Sequence, residues 1–188
     1  MNSFYPRIPT KRVNQDAPLP TYAHDGDAGM DLCSMEDVTL WPGETVTVKT
    51  GIAMAIPKGW AGFVFPRSGL GSRGLTLSNC VGVIDSTYRG EIGAPLHNNH
   101  PTHKPAEDAR PKGLLARLRE LIVRRLQWQL VPNNHPIAVH KGDRVCQIVF
   151  LPVGQATLVE TDELDETERS DGGFGSTGTG TITKGPRP

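Results

Sequence analysis

The chain has 188 residues, and its 20 Lys and Arg residues balance 20 Asp and Glu residues, so its formal net charge is zero. This length suits one domain with appendages, and the balanced charge excludes a global field that would draw the protein to nucleic acid or anionic lipid. The N-terminus lacks a signal-peptide core, and no apolar run approaches a membrane span. We therefore expect a soluble, cytoplasmic protein that does not bind membranes, and any affinity for nucleic acid would have to be local.

Short runs rich in Val, Ile and Thr occupy residues 28 to 96. Turn signals such as Pro42-Gly43 and Pro57-Lys58-Gly59 separate these runs at regular intervals, which predicts an all-β sandwich or barrel. The β pattern resumes at residues 144–152, whose continuous apolar character predicts a core strand closed by proline.

Three cysteines, Cys33, Cys80 and Cys146, are widely spaced, and each lies beside apolar residues in a strand-like run. An odd number at this spacing fits neither a disulfide framework nor a C-x-x-C metal site. We expect three small buried thiols in a reducing compartment, without a catalytic role.

Residues 98–136 differ in kind from the β segments on either side. Their first part is rich in His, Pro and charge and predicts a solvated loop, and residues 114–130 predict an amphipathic helix with leucines on one face. The helix either packs on the chain's own sheet or binds a partner protein. Nucleic-acid binding through its arginines is the weakest hypothesis, because a charged helical face is usually solvated.

Three histidines, His97, His100 and His103, recur every third residue at the start of this segment. Zinc binding would need the three histidines on one face, and Pro101 disfavours the helix that would place them there.

The segment 161–188 begins acidic and continues in Gly, Ser and Thr, which predicts an arm that is mobile in the free protein.

Candidate phosphate ligands and one candidate base are present, although no P-loop motif occurs in the chain. Asp85 follows the apolar run 81–84 and precedes a turn, so it is either an ordinary turn acid or a base at the rim of a sheet. Arg67, Ser68 and Gly69 offer a guanidinium, a hydroxyl and an approachable backbone, as a phosphate clamp or an ordinary loop would. The glycine-rich segment 169–178 adds flexible N–H donors and one aromatic ring.

Five segments resemble the motifs of the homotrimeric dUTPase family and occur in that family's order: residues 27–32, 66–70, 79–91, 142–147 and 169–178. The resemblance covers residues 28–97 and 136–178. It implies an all-β jelly-roll subunit over residues 1–160, interrupted by an inserted loop and α-helix at 98–136 and followed by a flexible arm at 161–188. It also implies a homotrimer with three shared active sites and Mg²⁺-assisted hydrolysis of dUTP to dUMP and pyrophosphate.

The same resemblance implies roles for individual residues. Asp85 would activate the attacking water, and Asp31 would support the metal's water shell or the arginine clamp, with no direct protein ligand to the metal. The residues implied to bind substrate are Arg67, Ser68, Gly69, Asn79, Gly82, Val83, Ile84, Tyr88, Gly93, Gln147, Arg169, Phe174, Gly175, Ser176 and Thr177. Asn79 and the backbone of 82–84 would read uracil, and Tyr88 would exclude a 2′-hydroxyl.

The chain departs from the family pattern at three positions. Thr87 stands where many members have a second acid, Gly93 offers only backbone where relatives often offer a side chain, and Ser170 replaces a common glycine. Ser170 is expected to stiffen the arm.

Two alternative functions stay open at this point. One is a dCTP deaminase, whose subunit is similar, although the complete fifth motif favours the pyrophosphatase. The other is a regulatory protein that retains the fold and binds a partner through the 114–130 helix.

Overall fold

The computed structural model describes residues 5–101, 136–167 and 169–173. The predicted helix at 114–130, His103 and the residues from Phe174 to Thr177 lie outside these ranges. The described residues form ten strands and one short helix: β1 (Thr10–Arg12), β2 (Met30–Cys33), β3 (Val38–Leu40), β4 (Thr45–Met54), β5 (Trp60–Pro66), α1 (Ser68–Gly71), β6 (Leu75–Leu77), β7 (Gly82–Ile84), β8 (Glu91–Asn98), β9 (Ile137–Val139) and β10 (Arg144–Pro152).

Two four-stranded antiparallel sheets make up the body of the fold. Their strand orders are β1-β4-β8-β6 and β2-β10-β5-β7, and β3 and β9 form a separate pair. Inward side chains alternate with outward ones, as in β8, where Ile92, Ala94 and Leu96 are buried. Both sheets contribute to one hydrophobic core. The predicted all-β jelly roll is therefore confirmed.

Strand β10 lies inside its sheet and pairs with β2 on one side and β5 on the other. Val145, Cys146 and Ile148 are buried along it. Its last residue, Pro152, lacks the N–H that would extend the pairing. The predicted core strand at 144–152 is confirmed.

The cysteines correct one sequence prediction. Cys146 is buried and Cys33 is half-buried, but Cys80 is exposed. Cys80 lies in the turn between β6 and β7 with φ of 59°, so it belongs to a turn that connects the two sheets and not to a core strand. The prediction of three buried thiols is wrong for Cys80.

The chain divides into two compact units, Met1–Gly154 and Gln155–Pro188. This division falls close to the predicted start of the arm at residue 161, and the arm's exact boundary stays a prediction. Within the ranges that the structure describes, no helix has the length and apolar character needed to cross a membrane.

Gly51 provides a test of how tightly β4 packs. Its φ is +71°, and a Cβ there would lie 2.6 Å from the Ala17 Cβ. Gly51→Ala should destabilise the fold by roughly 3 kcal/mol, because a left-handed conformation and a steric overlap add together. Urea unfolding at a fixed protein concentration measures this change.

Gly59 supplies the matched control for that substitution. Its φ is +85°, but a Cβ there would have no atom within 4 Å. Gly59→Ala should therefore cost only the conformational part, about 1 kcal/mol. Equal costs at the two positions would contradict the packing assigned to Gly51.

Candidate active site

Asp31 on β2 lies between two arginines. Its Oδ1 is 2.8 Å from Arg67 Nε, and its Oδ2 is 3.2 Å from Arg144 Nη1. The Asp31 side chain is only 19% exposed, so this bridge is screened less than a surface ion pair. Two guanidinium groups against one carboxylate leave a local charge of +1, which suits binding of an anion.

Arg144 was not predicted as a site residue. It is the first residue of β10, directly after the Gly142-Asp143 turn, and it lies on the strand that carries Gln147. The sequence does carry a signal for Arg144. It is a cationic residue directly after a turn, and it lies on the same strand as Gln147, which was already a candidate ligand.

Helix α1 follows directly from Arg67 and carries Ser68 and Gly69. Arg67, Ser68 and Gly69 therefore lie together at the end of β5. A Cβ placed on Gly69 would have no atom within 4 Å, so a ligand can approach the Gly69 backbone. Gln147 Nε2 donates to the Pro66 carbonyl oxygen at 3.3 Å, which ties β10 to this turn. Residues 66–71 are called the cationic turn, and Gln147 contacts this turn from β10.

A second cluster, named the hairpin, consists of the turn at residues 79–81 together with strand β7. β7 pairs only with β5 among the described strands and lies at the edge of its sheet. Alternate backbone groups on an edge strand face outward, where they can bond a ligand. A Cβ on Gly82 would lie 3.3 Å from Asn79 Nδ2, so Asn79 packs closely over Gly82, and Val83 is 57% exposed.

Asp85 and Tyr88 follow this hairpin in a tight turn. The Tyr88 N–H donates to the Asp85 carbonyl oxygen at 3.1 Å, and the Tyr88 hydroxyl donates to the Glu91 carbonyl oxygen at 3.0 Å. The Tyr88 ring folds over Gly90, where any Cβ would overlap the phenol. Asp85 is exposed, and its carboxylate makes no ion pair or hydrogen bond with any residue that the structure describes. A solvated carboxylate beside a fixed ring is therefore available to a ligand.

The remaining predicted residues lie elsewhere. Gly93 is inside β8, paired with Lys49, and a Cβ there would approach the Thr47 Cγ2 at 2.9 Å. Arg169 belongs to the second unit, and its Nε donates to the Gly172 carbonyl oxygen at 3.0 Å. Ser170, which replaces the family's glycine, has φ of 43°, a conformation that favours glycine.

Asp85 and Arg67 lie toward opposite ends of β5. Ile84 pairs with Gly62, so Asp85 follows near the start of that strand, whereas Arg67 follows its last residue, Pro66. At about 3.3 Å per residue, roughly 20 Å of strand separates Asp85 from Arg67. The Asp85 carboxylate and the cationic turn of one subunit are therefore far apart along β5.

Fold and site together define a jelly-roll protein with a candidate nucleotide site split into a carboxylate-bearing hairpin and a cationic turn. The sequence model of the dUTPase family matches residues 15–103 and 129–178. The chain is 43% identical over 173 residues to the deoxyuridine 5'-triphosphate nucleotidohydrolase of Thermobifida fusca, covering 92% of this chain and 79% of that protein. It is 41% identical to the enzyme of the same name from Mycobacterium tuberculosis, covering 89% and 92%.

A solved structure agrees with these relatives. It is a mutant dUTPase of Staphylococcus bacteriophage 80alpha with dUpNHpp, which is 27% identical to this chain with a TM-score of 0.69 and covers 92% of this chain and 98% of its own. This chain belongs to the dUTPase family. The family match leaves residues 104–128 unmatched, within the segment where the sequence predicts an insertion.

The three thiols should differ sharply in reactivity. Burial, with Asp31 nearby, raises the pKa of Cys146 to about 12, and burial also raises the pKa of Cys33. Because the thiolate is the nucleophile, only about one Cys146 in 10⁴ would be reactive at pH 8. A disulfide reagent at pH 8 should modify exposed Cys80 first, as read by absorbance and peptide mass spectrometry. Cys80→Ser should remove the fast phase; a fast phase that persists would contradict this order.

Proposed function

We propose that this protein hydrolyses dUTP to dUMP and pyrophosphate. Membership of the dUTPase family carries this proposal, supported by an exposed Asp85 beside the hairpin and by the cationic turn. The relatives reported above are nucleotidohydrolases, which favours this activity over a dCTP deaminase. Since the substrate belongs to the cellular nucleotide pool, we infer that the protein acts in the cytoplasm.

Asp85 is the general base of the proposed reaction. It takes a proton from a water whose oxygen attacks the α-phosphorus, and the bond from that phosphorus to the bridging oxygen breaks. Pyrophosphate leaves with the electron pair of that bond. An exposed carboxylate without a partner among the described residues can accept such a proton, and the reaction needs no covalent enzyme intermediate.

The cationic turn binds the phosphates. Arg67 supplies charge, while Ser68 and the backbone of Gly69 supply hydrogen bonds. Asp31, held by Arg67 and Arg144 at 2.8 and 3.2 Å, orients the guanidinium groups. Gln147 binds in the α-phosphate region. Its amide Nε2, which donates to the Pro66 carbonyl oxygen at 3.3 Å, lies next to the cationic turn.

The hairpin selects uracil. The outward backbone groups of Gly82, Val83 and Ile84 and the Asn79 amide match the donor and acceptors on a uracil edge. The wrong base would leave such groups unpaired, which discriminates strongly. Tyr88, fixed by its bond to Glu91 at 3.0 Å, packs under the deoxyribose and leaves no room for a 2′-hydroxyl.

Mg²⁺ accompanies the triphosphate in this proposal. Both Asp31 oxygens are engaged by arginines, and the described residues contain no group of three His, Cys, Asp or Glu that would form a metal cage. Phosphate oxygens and water suit this hard octahedral cation, which would neutralise charge on the phosphates. The arm residues Arg169, Phe174, Gly175, Ser176 and Thr177 are proposed to close over the nucleotide; the last four lie outside the described ranges.

A homotrimer would complete the site. The separation of Asp85 from Arg67 supports a site in which one subunit supplies the hairpin and its neighbour the cationic turn. Exposed apolar residues support assembly too: Leu158, Val159 and Leu164 are 93%, 83% and 85% exposed in the single chain. A partner protein on the 114–130 helix remains a prediction about residues outside the described ranges.

Asp85→Asn tests the base. The amide keeps the shape but accepts no proton, so kcat for dUTP should fall by about 10²- to 10⁴-fold. Pyrophosphate release in Mg²⁺ measures this, with dCTP, dTTP and UTP as control substrates. Unchanged turnover in the variant would exclude Asp85 as the base, and inertness of the wild type would overturn the proposed function.

Mixed trimers test the shared site. Asp85→Asn and Arg67→Ala subunits, each nearly inactive alone, are co-expressed with different affinity tags and purified through both. Every such mixed trimer has one neighbouring pair with both residues intact, so activity should recover to about one third of the wild type. Mixing the two pure trimers without subunit exchange is the control.

Light scattering checks the assembly that these mixed trimers require. Three chains of 20.4 kDa give a mass of about 61 kDa. Purified mixed trimers without recovered activity would place Asp85 and Arg67 in a site within one subunit.

A further inference from the structure

Helix α1 has little stability of its own. It is one turn long, has no side-chain N-cap bond and buries none of its residues. A single turn is intrinsically unfavourable in water because nucleation fixes several dihedrals for one hydrogen bond. The phosphate-binding backbone of the cationic turn must therefore be held by the rest of the fold.

The start of the helix is held from the β2 and β10 side. The Arg67 ion pair with Asp31 and the Gln147 bond to the Pro66 carbonyl secure this end. The residues that close the helix, Ser72 to Gly74, make mainly local bonds. Ser72 N–H donates to the Ser68 carbonyl, Arg73 N–H to that of Leu70, and Gly74 N–H to that of Gly71.

His100 holds this second end. Its Nε2 lies 3.1 Å from the Arg73 carbonyl oxygen, which makes that nitrogen the donor of the bond. The imidazole also lies against Gly74: a Cβ on Gly74 would be 2.9 Å from Nε2 and 3.1 Å from Cε1. Gly74 has φ of +84°, so glycine here serves both the turn and the contact with the ring. The Asn99 N–H adds a bond to the Gly74 carbonyl at 2.8 Å.

The support behind His100 is buried. Its backbone N–H donates to Asn98 Oδ1 at 3.0 Å, and Asn98 Nδ2 donates to the Leu40 carbonyl at 2.9 Å. Asn98 is 0% exposed and is the last residue of β8. A buried amide with its partners in place is a rigid attachment point, because losing either bond leaves a polar group unsatisfied.

We infer that His100 is a positioning residue for phosphate binding, which fixes the residue 72–74 end of the α1 turn against β8. This inference rests on the proposed function, because it assigns His100 an effect on dUTP binding through Ser68 and Gly69. His100 itself is not assigned a contact with substrate.

His100→Ala tests the inference through two readouts. Amide hydrogen exchange of residues 72–74 in the ligand-free protein should become about fivefold faster, the equivalent of one lost hydrogen bond. KM for dUTP should rise by a similar factor, about fivefold, while kcat stays within about twofold, because the base and the attacked phosphorus are untouched.

Two further variants sharpen the test. His100→Gln keeps a donor for the Arg73 carbonyl and should recover most of the lost protection and affinity. Asn99→Ser removes only the side-chain bond to Thr76 Oγ1, at 3.0 Å, and keeps the backbone bond to Gly74, so it should behave as the wild type. Should His100→Ala fail to fold, the comparison of His100→Gln with His100→Leu is made instead.

The outcomes separate the two proposals. Unchanged exchange in the variant, or faster exchange with unchanged KM, would overturn the positioning role. A wild-type protein that releases no pyrophosphate from dUTP would instead overturn the proposed function and with it the role of His100 in phosphate binding.

Discussion

The candidate site depends on the carboxylate of Asp31 between Arg67 and Arg144. These three residues come from β2, from the end of β5 and from the start of β10, so the bridge ties together three strands that are distant in the sequence. The same three residues also make the local charge positive. The chain as a whole is neutral, yet two guanidinium groups around one partly buried carboxylate leave a positive centre where α1 begins. The local positive charge therefore arises from the placement of these residues and not from the overall composition.

The antiparallel pairing of β5 with β7 sets a second constraint. It places Asp85 near one end of the seven-residue strand β5 and Arg67 at the other. Neither side chain can span the strand, since a fully extended arginine reaches only about 7 Å. The proposed base and the proposed phosphate-binding charge would therefore come from two copies of the subunit. In that proposal, separation of the subunits would remove activity without unfolding the chain.

The sequence indicated the strands and their turns but not their neighbours. The turn signals at Gly43, Gly59 and Gly142 correspond to glycines with positive φ between the observed strands. Pairing of β10 with both β2 and β5 joins residues more than 80 positions apart at the site, as in the Gln147 bond to Pro66, and local pattern carries no such information. The role of Arg144 toward Asp31 was missed for that reason. The prediction for Cys80 was wrong because apolar neighbours in the sequence resemble a strand even when they belong to a turn between two sheets.

Three glycines near the site share a function that turn chemistry alone does not explain. Gly82 lies under Asn79, Gly90 under the Tyr88 ring and Gly74 under His100, and a Cβ would crowd or overlap the polar side chain in each case. Of these three, only Gly74 has a positive φ. At Gly82 and Gly90 the residue is set by the room that a neighbouring side chain needs. Such glycines let the amide, the phenol and the imidazole pack close to the backbone, and this packing restricts the orientations of each side chain. Preorganisation of this kind lowers the entropic cost of binding, and it requires no additional contact with the nucleotide.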